Sequence, residues 1–183
     1  DPAALPVADR RRALRQLAAH YGNRARFFVQ LDPETMSRAA DPQLAATISE
    51  LIADPALCVD LRADLLRLVA HGALVDCVDT AIGLIADDGT PERLLSYAAI
   101  AVRDAGSQAH KDSLVQVVRQ MDVIPPDTCE CICQALFPGR VDAEGLVAIL
   151  RKTGDVPRGT LGIDYMLAEH LRSESGNYDP ASL

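Results

Sequence analysis

Apolar positions along the chain recur at the helical spacing of three and four residues. Two of the clearest stripes comprise Leu44, Ile48, Leu51 and Ile52, and Leu61, Leu65, Leu68 and Val69. This spacing places the apolar side chains on one face of an α-helix, where they can pack against a neighbour. Segments of this kind follow one another from Val7 to Arg172. The pattern therefore predicts an all-α protein.

Prolines divide the chain into units of similar length. Pro55, Pro91, Pro125 or Pro126, and Pro157 each precede an apolar segment of helical period, at separations of about 31 to 36 residues. Proline suits the first turn of a helix, where a backbone N–H has no intrahelical partner. A period of this length suits two helices per repeat. We therefore expect a right-handed α-solenoid of about four helical hairpins, with an irregular α-helical bundle as the alternative.

Acidic residues mark several of the predicted helix starts. Asp32 and Asp41 each stand directly before a proline, where the carboxylate can cap the helix that follows. Asp127 and Glu130 have the spacing of a capping box, with Asp in place of the usual Ser or Thr. We expect helices to begin at all three aspartates.

Length and composition predict one folded domain. The 183 residues are 49% hydrophobic and 24% charged, as in ordinary globular domains. We expect an α-helical repeat domain over residues 1–172, with an N-terminal helical cap over 1–40 and repeats over 41–172. Residues 173–183 are expected to be a tail or linker. The first residues include neither an initiating Met nor a basic region before an apolar one, which favours a domain cut from a longer protein.

The acidic charge balance narrows the classes of partner. Lys and Arg number 18 against 26 Asp and Glu, giving a formal net charge of -8, and Trp is absent. Nucleic-acid and anionic-membrane surfaces need clustered basic residues, so the balance disfavours both. Apolar runs such as Leu94 to Val102 fall short of the approximately 20 residues of a membrane span. Five cysteines, an odd number, favour a reducing compartment and hence the cytoplasm.

One segment resembles the second helix of a HEAT repeat. It begins at Pro91, contains the paired small residues Ala98 and Ala99, and ends at Gly106. A weaker copy ends at Gly72, 34 positions earlier. The later units lack the alanine pair, so the chain departs from the family pattern there. The resemblance implies a HEAT-like stack of helices.

The run of helices also resembles the helical region of large bacterial NACHT-like (STAND) NTPases. The features that carry this resemblance are Phe137-Pro138-Gly139 ahead of an apolar helix and a late helix from Leu161 to Leu171. It implies a sensor or scaffold arm attached to a nucleotide-driven oligomerisation domain. The chain itself contains neither a P-loop nor a Walker acidic motif, so we expect no cofactor.

The HEAT resemblance also implies where a partner would bind, because the second helices of such stacks line the concave surface. The partner-binding candidates on these helices are Arg93, Ser96, Arg103, Glu130 and Gln134. We expect a non-catalytic protein-interaction, scaffold or sensor module. Its partner would be another protein or another domain of the parent chain.

A local excess of arginine near the N-terminus supports a different hypothesis. The cluster comprises Arg10, Arg11, Arg12, Arg15, Arg24 and Arg26. It could bind an anion or an acidic partner, or it could be a solvated helix face that pairs with the acidic remainder. An alternative function is a nucleic-acid-binding or DNA-repair enzyme, since alkylpurine DNA glycosylases resemble this chain in architecture. A third alternative is a spacer or oligomerisation element.

Three closely spaced cysteines suggest a metal site, but the spacing does not suit one. At 100° per residue Cys129 and Cys133 share a helix face while Cys131 points elsewhere. A zinc site needs three or four converging ligands, and no second cysteine pair follows. We therefore expect these cysteines to be small core residues. The four histidines are scattered, so we predict neither a metal site nor a catalytic site.

Overall fold

The structure, a computed structural model, describes residues 4–21 and 32–153. Every regular element in these two ranges is helical, which confirms the all-α fold for this part of the chain. The α-helices are α1 (Val7–Tyr21), α2 (Pro33–Ala39), α3 (Ala45–Ala53), α4 (Val59–His71), α5 (Val78–Ala86), α6 (Glu92–Ala105), α7 (Gln108–Gln120), α8 (Pro126–Leu136) and α9 (Ala143–Leu150). Short 3-10 turns at Pro42–Leu44, Val75–Cys77 and Arg151–Thr153 adjoin α3, α5 and α9.

Two of the three predicted aspartate caps are confirmed. Asp32 accepts a hydrogen bond from the Thr35 backbone N–H at 2.8 Å, and Asp41 caps the turn before α3 in the same way. The predicted capping box at Asp127 is wrong, because α8 begins one residue earlier, at Pro126. A capping box does occur at the start of α7, where Ser107 and His110 bond to each other's backbone N–H.

The prolines mark helix starts unequally. Helix α6 begins directly after Pro91 and α8 begins at Pro126, as predicted. Pro55 lies instead in a turn, and α4 begins only at Val59. The Asp54 carboxylate accepts the Ala56 backbone N–H at 2.9 Å and stabilises that turn. Pro157 lies outside the described residues.

The helices contact one another in two rows. Helices α2, α4, α6 and α8 meet in chain order, and so do α1, α3, α5 and α7. Contacts between consecutive helices, such as α3 with α4 and α5 with α6, join the two rows. Buried side chains from both rows form one continuous cluster. The described part of the chain is thus two layers of helices around a shared apolar core.

Helix α6 occupies a central place in this packing. It contacts α4, α5, α7 and α8. Its alanines at 98, 99 and 101 are fully buried, as are Leu94 and Val102. Small side chains let neighbouring helices approach closely, and the larger ones fill the space at each end. One line of residues on α6 remains exposed or half-buried, and that line forms the wall described below.

The end of α4 depends on the close approach of the segment that follows α2. A Cβ placed on Gly72 would lie 2.1 Å from the Cβ of Ala40, so only glycine lets the segment after α2 come this close. The next residue, Ala73, has a φ of 49°, in the left-handed region that usually favours glycine. The Leu74 N–H bonds to the Val69 carbonyl at 3.1 Å, which completes the helix end.

Several polar contacts join residues about one repeat apart in the sequence. In the contacts that follow, the partners are 31 to 33 positions apart. They are Arg10 with Asp41, Asp60 with Arg93, Ser96 with Thr128, Arg103 with Gln134, and Met121 with Lys152. The separation matches the proline period found in the sequence.

Candidate functional site: a groove between α6 and α8

An open groove of about 720 Å³ lies between α6 and α8. Its lining comprises Glu92, Arg93, Ser96, Tyr97, Ile100, Arg103, Asp127, Glu130, Cys131 and Gln134. All five partner-binding candidates from the sequence are among them. The lining residues of each helix are spaced by about three and four positions, which places them on one helix face. The structure therefore brings the five candidates together on one surface.

The same lining contains five residues that the sequence analysis did not select. They are Glu92, Tyr97, Ile100, Asp127 and Cys131. Helical spacing from Arg93 and Ser96 would have pointed to Tyr97 and Ile100. They were not selected because apolar side chains on a helix usually lie in the core, and no run of polar residues marks the exposed side of α6.

A buried hydroxyl pair ties the two helices together at the groove. The Ser96 Oγ lies 3.0 Å from the Thr128 Oγ1. Thr128 is fully buried, while Ser96 is half-buried. A buried hydroxyl needs a hydrogen-bond partner, so this contact satisfies Thr128 and fixes the spacing of α6 and α8.

A polar network holds one end of the groove. Arg103 donates to both carboxylate oxygens of Asp104, at 2.6 and 3.0 Å, and to the Gln134 Oε1. The hydrogen bonds to Asp104 raise the pKa of Arg103. Gln134 in turn donates its Nε2 to the Glu130 Oε1 at 3.2 Å. The network neutralises Arg103 and orients the Glu130 carboxylate.

The second arginine of the groove is also paired. Arg93 forms an ion pair with Asp60, which belongs to α4 and does not line the groove. The Asp60 side chain is only 15% exposed, so its charge is better satisfied by this pair than by water. The contact joins α4 to α6 and leaves Arg93 with less capacity to bind an anion.

Three carboxylates of the groove have no such partner. Among the described residues Glu92, Asp127 and Glu130 form no ion pair with a basic side chain. Both groove arginines are neutralised by aspartates outside the lining. The groove therefore carries an excess of negative charge.

The three cysteines of α8 separate as predicted. Cys129 and Cys133 are fully buried with their sulfurs 4.0 Å apart, and Cys131 is half-buried in the groove. Burial raises the pKa of the Cys131 thiol, which makes it a weaker nucleophile at neutral pH. The described residues contain no group of three or more metal-ligating side chains that could hold an ion.

The described arginines of the N-terminal cluster lie on α1, which packs against α3 and the turn before it. Arg10 pairs with Asp41 at 2.7 Å, and Arg11 donates to the Gln43 carbonyl at 2.9 Å. Arg12 pairs with Asp9 and Arg15 with Glu50. None of these four lines the groove. Arg24 and Arg26 lie outside the described residues.

Comparison of the chain with known protein families, with curated proteins and with solved structures found no match. Among the described residues, no helix is both long and apolar enough to cross a membrane. The arguments for function therefore come from the groove and from the packing of the helices.

Proposed function

We propose that this chain is a non-catalytic protein-interaction module whose partner binds in the groove between α6 and α8. The module would be a HEAT-like right-handed α-solenoid and would act as a sensor or scaffold arm of a larger cytoplasmic protein, in line with its resemblance to NACHT-like NTPases. Support for the repeat comes from the two rows of helices and from polar contacts that recur at 31 to 33 positions. The groove itself is the observation that carries the proposal.

The composition of the groove favours a protein partner. Tyr97 and Ile100 supply apolar surface to a lining that also contains five charged residues. Protein interfaces likewise combine aromatic and apolar anchors with polar and charged residues. A nucleic-acid-binding surface would instead need free basic side chains, and both groove arginines are occupied by aspartates.

A matched pair of variants tests the proposal. Ile100→Arg places a long charged side chain in the groove, while Val123→Arg makes the same kind of change at a loop residue that is 70% exposed and outside the groove. The unmodified domain and each of the two variants would be used to capture proteins from lysate of the native host. We expect a partner captured by the unmodified domain and by Val123→Arg to be lost with Ile100→Arg. Equal capture by all three would contradict binding in the groove.

The same capture tests the nucleic-acid alternative. Nuclease treatment is combined with Arg12→Glu and Arg15→Glu, because these two side chains are 71% and 59% exposed. Arg10 is left unchanged, since reversing its charge beside Asp41 would disturb the packing of α1. A protein partner should survive both treatments. Nucleic acid that is captured by the domain and lost on charge reversal would favour the alternative.

A further inference from the structure

We propose that the groove between α6 and α8 binds a segment of a partner protein in which lysine or arginine flanks an apolar side chain. This inference rests on the proposed function and adds the chemistry of the partner. Three observations carry it: three carboxylates without a basic partner, the position of two of them at one end of the groove, and the apolar residues that line the same groove.

Two of the carboxylates, those of Glu92 and Asp127, lie at one end because α6 and α8 run in the same direction. Ser96 meets Thr128, and further along both helices Arg103 meets Gln134. Glu92, in the first turn of α6, therefore lies at the same end as Asp127 in α8. Glu130 follows one turn later on α8, between this end and the Gln134 amide that donates to it. The opposite end is closed by the neutralised network of Arg103 and Gln134.

The net field at the acidic end remains negative after the helix dipoles are included. Each helix N-terminus contributes roughly half a positive charge. Two such termini offset about one of the three carboxylate charges. The formal charge of -8 on the whole chain acts in the same direction at longer range. Lysine or arginine is therefore the side chain that this end attracts.

Tyr97 and Ile100 are the reason that the partner segment should contain an apolar side chain. They lie three positions apart on α6, both half-buried, and both line the same groove as the carboxylates. An apolar side chain of the partner would cover them, and the ring of Tyr97 can also attract a neighbouring cation through its face. A volume of about 720 Å³ lies within the range of pockets that enclose a ligand, and a short segment of chain can occupy it.

Binding of three labelled peptides measures directly whether the groove prefers a basic segment. The basic probe has lysine and arginine on both sides of two leucines, and its counterparts carry glutamate or glutamine at the basic positions. The groove variant combines Glu92→Gln, Asp127→Asn and Glu130→Gln. The control combines Asp76→Asn, Asp88→Asn and Glu144→Gln, which removes the same charge at exposed positions outside the groove.

We expect the basic peptide to bind best and the groove variant to lose about tenfold or more in affinity, since three ion pairs are removed. The control should bind the basic peptide with an affinity within about twofold of that of the unmodified domain. Any remaining difference would come from long-range electrostatic attraction, which salt screens. The bound peptide should also slow alkylation of Cys131 by N-ethylmaleimide and leave Cys58, outside the groove, unchanged. Equal losses in both variants, or preference for the acidic or neutral peptide, would overturn the inference.

The two proposals fail separately. If no basic peptide binds but Ile100→Arg still abolishes capture of a protein partner, the groove is an interaction site and the inferred chemistry of the partner is wrong. If Ile100→Arg also leaves capture unchanged, the proposed function is wrong as well. A polyamine that competes fully with the basic peptide at equal charge would also overturn the inference, because the apolar contact would then contribute nothing.

Discussion

The arginine face of α1 and the groove between α6 and α8 differ in how their charges are satisfied. Four described arginines of α1 follow one another closely in the sequence, yet each bonds to an acceptor of its own chain. The charged residues of the groove are spread over two helices, and three carboxylates there have no basic partner among the described residues. The density of charge along a sequence therefore does not reveal which charges are free to bind a partner.

The two regions also differ in what holds them in place. Helix α1 meets its neighbours partly through ion pairs, such as Arg10 with Asp41. Helix α6 is held mainly by fully buried apolar side chains, including Leu94 and Ala98. Ion pairs weaken in salt, whereas apolar burial does not. Two predictions test this difference, and a third concerns α4, which packs against α6; they follow from the largest expected effect to the smallest.

Removing a buried side chain of α6 should have the largest effect. Leu94 is fully buried, so Leu94→Ala removes apolar contacts and leaves a cavity. We expect a loss of about 2 to 5 kcal/mol in the free energy of unfolding, measured by urea denaturation at low and at high salt. The loss should be the same at both salt concentrations. A loss below about 1 kcal/mol would mean that α6 is not held by this packing.

Two arginines of α1 should differ in their contribution to stability. Arg10 and Asp41 are 13% and 20% exposed, so Arg10→Ala should cost about 1 to 3 kcal/mol by leaving a half-buried carboxylate unpaired. Arg12 and Asp9 are 71% and 43% exposed, and Arg12→Ala should cost less than about 0.5 kcal/mol. Urea denaturation of both variants checks this. Equal losses of stability in the two variants would show that the exposure of an arginine does not predict its contribution to stability.

The smallest expected effect is a pH dependence of the free energy of unfolding, caused by Asp64 on α4. This helix packs against α6. Burial raises the pKa of Asp64, although its hydrogen bond with Arg67 opposes the shift. A raised pKa means that the folded state binds the proton more tightly, so stability from this group is present below its unfolded pKa and is lost as the pH rises through the folded pKa.

Asp64→Asn removes this titration. Relative to the unmodified protein, the variant should therefore gain stability between about pH 4 and neutral pH, by less than about 1 kcal/mol because the pair with Arg67 is also lost. Thermal unfolding across this pH range measures the gain, with Asp88→Asn as an exposed control. A relative loss of stability as the pH rises would contradict the direction of the shift.

Much of the secondary structure could be predicted from local signals. The stripe at Leu61, Leu65, Leu68 and Val69 is buried in α4, and the aspartate caps at positions 32 and 41 form as expected. Local signals failed where two of them competed. Pro126 set the start of α8 ahead of Asp127, and a turn stabilised by Asp54 delayed α4 beyond Pro55.

The candidate site was predictable only in part. The HEAT resemblance pointed to five polar members of the groove, because it implies that the second helix of each unit faces a partner, but it missed the acidic Glu92 and Asp127. Tyr97 and Ile100 did not follow, since an apolar side chain on a helix can lie in the core or in a groove, and the position of α8 decides between the two.

The sequence alone determined that the described part of the chain is helical, where several of its helices begin, and that the charge of the chain is acidic, because these depend on near neighbours in the chain and on composition. The tertiary structure alone decided which charges are free. Arg10 meets Asp41, and Arg93 meets Asp60, across 31 and 33 positions, and only the packing of the helices brings such residues together. The uncompensated carboxylates of the groove are what remains after that pairing.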